Sequence, residues 1–545
     1  MPGGFVRFVC NMVVISKRTS VKIQKDYLGG FVMSKTSLQD GAVYDARKLG
    51  AGRVVVLGLQ HMFAMFGSTV LVPALTGLSV SATLLFAGLG TLLFHILSKR
   101  KVPAFLGSSF AFLAGYFAIA PHGEAELLPY ACFGVACAGL VYLILAAAIK
   151  GFGVNRVMKF FPPIVTGPII IAIGLCLSGT AINSCSTNWL VAVVAILIIV
   201  ICNIWGKGMV KILPILLGVA GACLVCIIFT VAPLSTAVDL NAGVEGAVPN
   251  IVYCIGGDPN LQLFTQASID NIANAAWIGL PVQGENTVFS IFAGGNLDQA
   301  LLLNAVITIV PISLATVVEH IGDISAISST VGENFIQDPG LHRTLTGDGL
   351  ATTIASLFGA PANTTYGENT GVLTLSKVFD PLVIELAALF AIFFSFSPKL
   401  AACISAIPTP VVGGISLVLY GMISAVGVRN LVENQIDFSR VRNVIIAALI
   451  LVLSIGVTYS AAGAISLPCG AINGDPLVIS LSGLAVGSLI GIILNAALPG
   501  KDYVFEDKQK AAQAKDETIK PEPAGKSFAL SKSMIQEEEK EDKKK

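Results

Sequence analysis

Charge is what this chain has least of. Of its 545 residues 12% are Asp, Glu, Lys or Arg and 54% are hydrophobic, with a mean hydropathy of +0.80. Soluble globular domains carry about 25% charged residues, so the shortage excludes a protein whose main solvent is water. Histidine is scarce too, at 5. No His, Cys, Asp or Glu residues fall at metal-ligand spacing, and no nucleophile stands near a base within the apolar runs. That argues against an enzyme, and neither metal nor cofactor is expected. The 11 cysteines are odd in number and most lie in apolar runs, where a thiol acts as a small hydrophobe. Cys185, Cys254 and Cys469 fall in connecting segments, where pairing stays open. A cleavable signal is lacking as well: Phe5 to Ser16 is short, has no small-residue cleavage pattern and runs into the basic stretch Lys17 to Lys25. The opening reads as a cytoplasmic extension.

What is present is a series of uncharged runs from about residue 52 to 499, each near the roughly 20 residues a helix needs to cross hydrocarbon. About fourteen spans are expected, beginning near Arg53, Thr83, Pro103, Leu128, Val157, Trp189, Val210, Ala300, Gly349, Thr364, Leu382, Pro410, Val441 and Leu477. Basic residues fall in every second connection: Lys99, Arg100 and Lys101, then Lys150, Arg156 and Lys159, then Lys207 and Lys211. The segment from Thr230 to Gln299 has neither Lys nor Arg. Basic connections stay inside, so the alternation predicts a multi-pass protein of the cell membrane with both termini cytoplasmic. Lys399, on the outer side by this count, is the exception.

PIVTGPIIIAIG from Pro163 and PVVGGISLVLYG from Pro410 match at a constant offset, each opening a span. Gln60-His61 of the first span stands opposite Glu319-His320 of the eighth, dividing the chain into two sevens. An odd number per half makes the repeats inverted, a construction used by secondary transporters around a midplane site.

A carboxylate at the bilayer centre costs at least about 2.5–3.5 kcal/mol, so acidic residues in spans need a reason. Glu319 and Glu368 stand out. Glu319 and Asp323 are four residues apart and share a helical face. Glu368 follows GAPANTTYG, whose Gly, Pro and β-preferring residues oppose helix, with helix beginning around Asn369. Pro103 and Gly107 interrupt the third span in the same way. Broken backbone at membrane depth is tolerated only where it lines a cavity, so the breaks should face each other. Two helix starts offering N–H groups beside carboxylates suit a planar neutral molecule with both C=O and N–H. His61, mid-span beside Gln60, is a candidate for this site and equally for a structural hydrogen bonder.

At these residues the chain resembles the nucleobase-ascorbate transporter family of nucleobase:cation symporters, most closely its bacterial uracil carriers. LQHMFAMFGSTVLVP (59–73), VPAFLGSSFAF (102–112), EHIGD (319–323), DPGLHRTLTGDGLAT (338–352) and NTTYGENTGV (363–372) carry the resemblance. It implies an all-α polytopic protein of fourteen spans in two inverted seven-span repeats. Short strands in the broken spans 3 and 10 would hold substrate, and a core would move elevator-like against a gate. Glu319 and Glu368 would accept from uracil, the amides of Phe110 and Gly367 would donate to it, Tyr366 and Tyr420 would pack nearby and His61 would lie beneath. Asp323 stands where uracil carriers often have His, a position tied to proton coupling.

The resulting expectation is a secondary transporter importing uracil with a cation, a proton in the first instance, coupled through Glu319, Glu368 and Asp323. The alternatives are a xanthine or purine carrier of the same fold and an anion transporter of related architecture. The divisions are a cytoplasmic extension (1–50), a first repeat (51–229), an extracellular loop (230–299), a second repeat (300–499) and a charged cytoplasmic tail (500–545). Partners are uracil, the cation and the bilayer, not nucleic acid, with a homodimer left open.

Overall fold

The computed structural model of the chain describes residues 42–500, apart from 122, 233, 243–248, 294–296 and 473–474. The first series of elements runs α1 (Ala51–Thr76), α2 (Val80–Leu97), β1 (Leu106–Ser108), α3 (Leu113–Ile119), α4 (Leu128–Phe152), α5 (Pro163–Ser186), α6 (Trp189–Trp205) and α7 (Pro214–Val231). Local chemistry sets these boundaries. α1 ends on Gly77 at φ +80°, whose N–H returns to Pro73 O, and Ser79 caps α2 by accepting from Ala82 N at 3.2 Å.

A connecting segment follows with β2 (Ser235–Asp239), β3 (Ile251–Ile255), β4 (Gln262–Thr265) and α8 (Gln266–Asn274). The strands pair in that order as an antiparallel sheet. The region predicted as a loop therefore has its own fold, because strands this short give little periodic signal beside long apolar helices.

The second series repeats the first: α9 (Gln299–Ile309) and α10 (Ile312–Val331), α11 (Leu341–Leu357), β5 (Asn363–Thr365), α12 (Glu368–Ser376), α13 (Pro381–Ser395) with α14 (Pro398–Ser405), α15 (Thr409–Glu433), α16 (Val441–Thr458), strands β6 (Ala464–Ile472) and β7 (Asp475–Ser482), and α17 (Gly483–Ala497). The equivalent strands β1 and β5 pair antiparallel, with Leu106 opposite Thr365, Gly107 opposite Thr364 and Ser108 opposite Asn363. Packing is reciprocal, with α2 on α13, α4 on α11, and α5 on α15. This is the inverted-repeat arrangement expected.

Helices α5, α6 and α7 pack with α15, α16 and α17, while the remaining spans of both series gather around the strand pair. The glycines of the repeat permit the close crossing of α5 on α15: a Cβ on Gly174 would lie 2.2 Å from Tyr420 O. Ile144 on α4, Ile201 on α6 and Val452 on α16 stay exposed, as an apolar solvent demands.

Seven helices among the described residues are long and apolar enough to cross a membrane, eight if α13 and α14 count as one span bent by 90°. The other elements of the expected set are shorter or broken. Two expected starts move. The last span begins at Gly483, not Leu477, because 464–482 form the β6–β7 hairpin, and the Asn473-Gly474 dipeptide is the hairpin signal that an apolarity count overlooks. The ninth begins at Leu341, not Gly349, a shift that brings Asp348 inside. Cys185 and Cys254 are free thiols; the side chain of Cys469 lies outside the described residues.

Candidate functional site

The strand pair is held on both flanks by side chains. Leu106 N donates to Thr91 Oγ1 at 2.9 Å, and opposite it across the pair Thr365 N donates to Asp348 Oδ1 at 2.9 Å. Asn363 Nδ2 donates to Phe86 O at 2.7 Å across α2, where Gly90 leaves room: a Cβ there would sit 2.1 Å from that nitrogen. Beyond the strands, Tyr366 N donates to Phe105 O at 3.1 Å and Ser109 N to Ala362 O at 3.0 Å. The two breaks predicted to face each other are thus joined by backbone hydrogen bonds.

Both breaks turn directly into helix. Phe110–Phe112 form a short 3-10 turn leading into α3, and α12 opens at Glu368 behind Gly367. The N–H groups at such starts have no intrahelical acceptor. The side chain of Glu368 lies outside the described residues; its backbone occupies the first position of α12. One residue on, Asn369 Oδ1 lies 2.9 Å from His61 Nδ1 of α1. Both side chains are buried, and His61 Nε2 and Asn369 Nδ2 have no hydrogen-bond partner among the described residues. Buried polar atoms of this kind ordinarily take a partner, from protein, ligand or water.

Helix α10 brings the acidic face. Glu319 is half-buried one turn before Asp323. Asp323 Oδ2 accepts from Thr365 Oγ1 at 3.3 Å, and a Cβ on Gly367 would meet Asp323 Oδ1 at 2.7 Å, so this carboxylate lies against the backbone where strand becomes helix. Tyr366 is buried in the packed cluster of Met62, Met65 and Phe105. From the other helical group, Tyr420 of α15 meets Phe110 edge-to-face, centroids 6.1 Å apart at 80°. Phe110 and Tyr420 therefore stand where β1 ends and Tyr366, Gly367 and Asp323 where β5 ends, with His61 reaching α12 through Asn369.

Asp348 escaped the sequence reading, and His320 entered it only as the neighbour of Glu319. His320 Nδ1 lies 3.1 Å from both Asp348 Oδ2 and Thr365 Oγ1, and Nε2 lies 3.0 Å from Thr344 Oγ1. The Thr344 hydroxyl donates to Leu341 O at 3.0 Å, which leaves a lone pair for an Nε2–H. The His320–Asp348 pair is thus fully buried beside β5, between the hydroxyls of Thr344 and Thr365. The signal for Asp348 was an acid within TGDGLAT, hidden by a span start placed eight residues too late.

His95 is buried with Nε2 2.9 Å from Ala104 O. Its Nδ1 stands 3.4 Å from Glu385, which also takes Arg100 through Nε at 2.6 Å and through Nη2. This second buried acid, also unforeseen, anchors the end of α2. No group of three or more metal-ligating side chains occurs among the described residues.

The sequence pattern of the Permease family matches residues 52–463. A uracil permease of Bacillus caldolyticus is 36% identical over 471 residues, spanning 84% of this chain and 96% of that protein. A uracil permease of Escherichia coli (strain K12) is 32% identical over 454 residues, spanning 81% and 90%. Among solved structures, the transmembrane domain of the cyanobacterial bicarbonate transporter BicA superposes with a TM-score of 0.51 at 14% identity, covering 84% of this chain and 99% of that one. That is a likeness of fold alone.

Proposed function

This chain belongs to the Permease family, and on that premise we propose that it carries uracil into the cell by symport with a cation, in the first instance a proton. The observation that carries the reading is the antiparallel joining of two broken spans from opposite repeats, with Asp323 against Gly367 and an unspent His61–Asn369 contact beside them. Irregular backbone at membrane depth is stable where it lines a cavity, and paired breaks point to a carrier's site.

In this reading the ring of uracil lies between the breaks. Its N–H groups meet Glu319 and Glu368, its carbonyls meet the amides of Phe110 and Gly367, and Tyr366 and Tyr420 close the faces, with His61 beneath. A proton loads Glu319 or Glu368 with Asp323 assisting. The group around the strand pair then moves elevator-like against the group of α5–α7 and α15–α17, exposing substrate and proton together. Residues 51–229 and 300–499 are the two seven-span repeats, 230–299 the outer segment, and 1–50 and 500–545 the cytoplasmic ends, in the cell membrane. The bicarbonate carrier shares the fold at 14% identity, too distant to suggest its substrate.

Uptake of labelled uracil into proteoliposomes under separately imposed proton and sodium gradients tests this. Accumulation driven by the proton gradient and competed by unlabelled uracil, but not xanthine, is the result expected. Uptake competed by xanthine in preference to uracil would transfer the reading to a purine carrier.

A further inference from the structure

Lys399 is the one basic residue that the charge alternation leaves on the wrong side, and its surroundings give it a task. It stands at the start of α14, just past the 90° bend from α13. Its Nζ donates to Ala273 O at 3.0 Å and to Ile272 O, at the carboxyl end of α8, where a cation is favoured by the helix dipole. The same Nζ lies 5.7 Å from the centre of the Trp277 ring. Backbone bonds reinforce the attachment: Lys399 N donates to Ala276 O and Gly279 N to Phe396 O, both at 2.9 Å. The segment Trp277–Pro281 is thus strapped to the end of α13.

That segment is unusually apolar for a connection: Trp277, Ile278 and Leu280 are 75%, 83% and 81% exposed. Water would make such a cluster costly, and large exposed apolar patches mark contact surfaces. The occupant follows from continuity. Leu389 and Phe393 on α13 are also exposed apolar side chains, leading along the same helix to the strap. Depth follows from the other tryptophans. Trp189 and Trp205 are exposed at opposite ends of α6, where an interfacial belt would place them. Trp189 is on the side of the strap's own segment, since Gln262 N donates to Thr187 O at 3.0 Å.

We propose that Trp277–Pro281 is a leaflet anchor, seated among the headgroups and first methylenes of the bilayer on the side of residues 230–299 and pinned by Lys399 to the helical group that carries the strand pair. A Trp with Ile and Leu at a membrane surface is the composition that binds an interface without spanning it.

The test uses the full chain with Trp189 and Trp205 replaced by Phe, leaving Trp277, in phosphatidylcholine nanodiscs held by a tryptophan-free belt. Lipids brominated at acyl carbons 6,7 should quench Trp277 roughly twofold more than lipids brominated at 11,12, with weak quenching by iodide. A chain retaining Trp189 alone should give the same ranking. Lys399→Met should reduce the bromolipid quenching by about twofold and raise that by iodide. Strong iodide quenching of Trp277 without bromolipid quenching would overturn the anchor. So would protection from both quenchers that grows with the number of copies per disc, which would assign the patch to a second copy of the chain.

Discussion

The two broken spans share a backbone and differ in chemistry. In the first half the flanking donor of the strand, Leu106 N, is met by a neutral hydroxyl, Thr91 Oγ1; in the second, Thr365 N is met by the carboxylate of Asp348. Around β1 stand Ser108, Ser109 and Phe110; around β5 stand His320, Asp323, Asp348 and Asn369. Inverted repetition supplies the geometry twice, and the ionisable chemistry is concentrated on one copy. In the proposed site the first half would contribute shape and amide donors and the second most of the charge.

The widest separation between the halves should appear on truncating the two side chains that flank the opposed residues Leu106 and Thr365. Asp348→Ala leaves Thr365 N unpaired and takes the carboxylate from His320 in an enclosed site, and should cost about 3–5 kcal/mol, the range for breaking a buried pair. Thr91→Ala removes a neutral hydrogen bond and should cost about 0.5–1.5 kcal/mol. Thermal unfolding in detergent reads both, and equal losses would erase the distinction drawn between the halves.

A smaller effect is expected at the turn into α12. Gly367→Ala places a Cβ 2.7 Å from Asp323 Oδ1, so the carboxylate must move, and uracil uptake should fall about tenfold, equivalent to 1.4 kcal/mol. Gly371→Ala, with open space at its Cβ, should leave uptake within about twofold of wild type, since surface changes away from such features cost within about 0.5 kcal/mol. Similar uptake by the two variants would separate Asp323 from the site.

The least effect belongs to the ring contact between helical groups. A double-mutant cycle on Phe110→Leu and Tyr420→Leu should give a coupling of about 0.5–1.5 kcal/mol in uracil affinity. Zero coupling would mean that the edge-to-face contact is incidental to binding.

Much of this arrangement is legible in the sequence because membrane insertion writes it in simple terms. Span starts at Trp189 and Val441 coincide with helix starts, and the Pro163 and Pro410 repeats mark the helices that cross through Gly174. The helix after the second break begins at Glu368, one residue from the expected Asn369. What escaped did so for physical reasons. Asp348 and its pairing with His320 need the register of α11 against β5, which comes from tertiary packing, and a boundary error of eight residues hid the acid. Glu385 looked like one charge in an apolar run until Arg100 and His95 arrived from another helix. The strands of 235–265 and 464–482 are short and partly apolar, so hydropathy reads them as loop or span.

The central claim, that the second half's carboxylates couple a proton to uracil movement, is tested most directly by Asp323→Asn, with uracil binding and gradient-driven uptake measured separately on one preparation. The account predicts that equilibrium binding stays within about threefold of wild type, a change below the tenfold worth 1.4 kcal/mol, while accumulation against a gradient is lost and uracil exchange persists. Full gradient-driven accumulation by Asp323→Asn would contradict it.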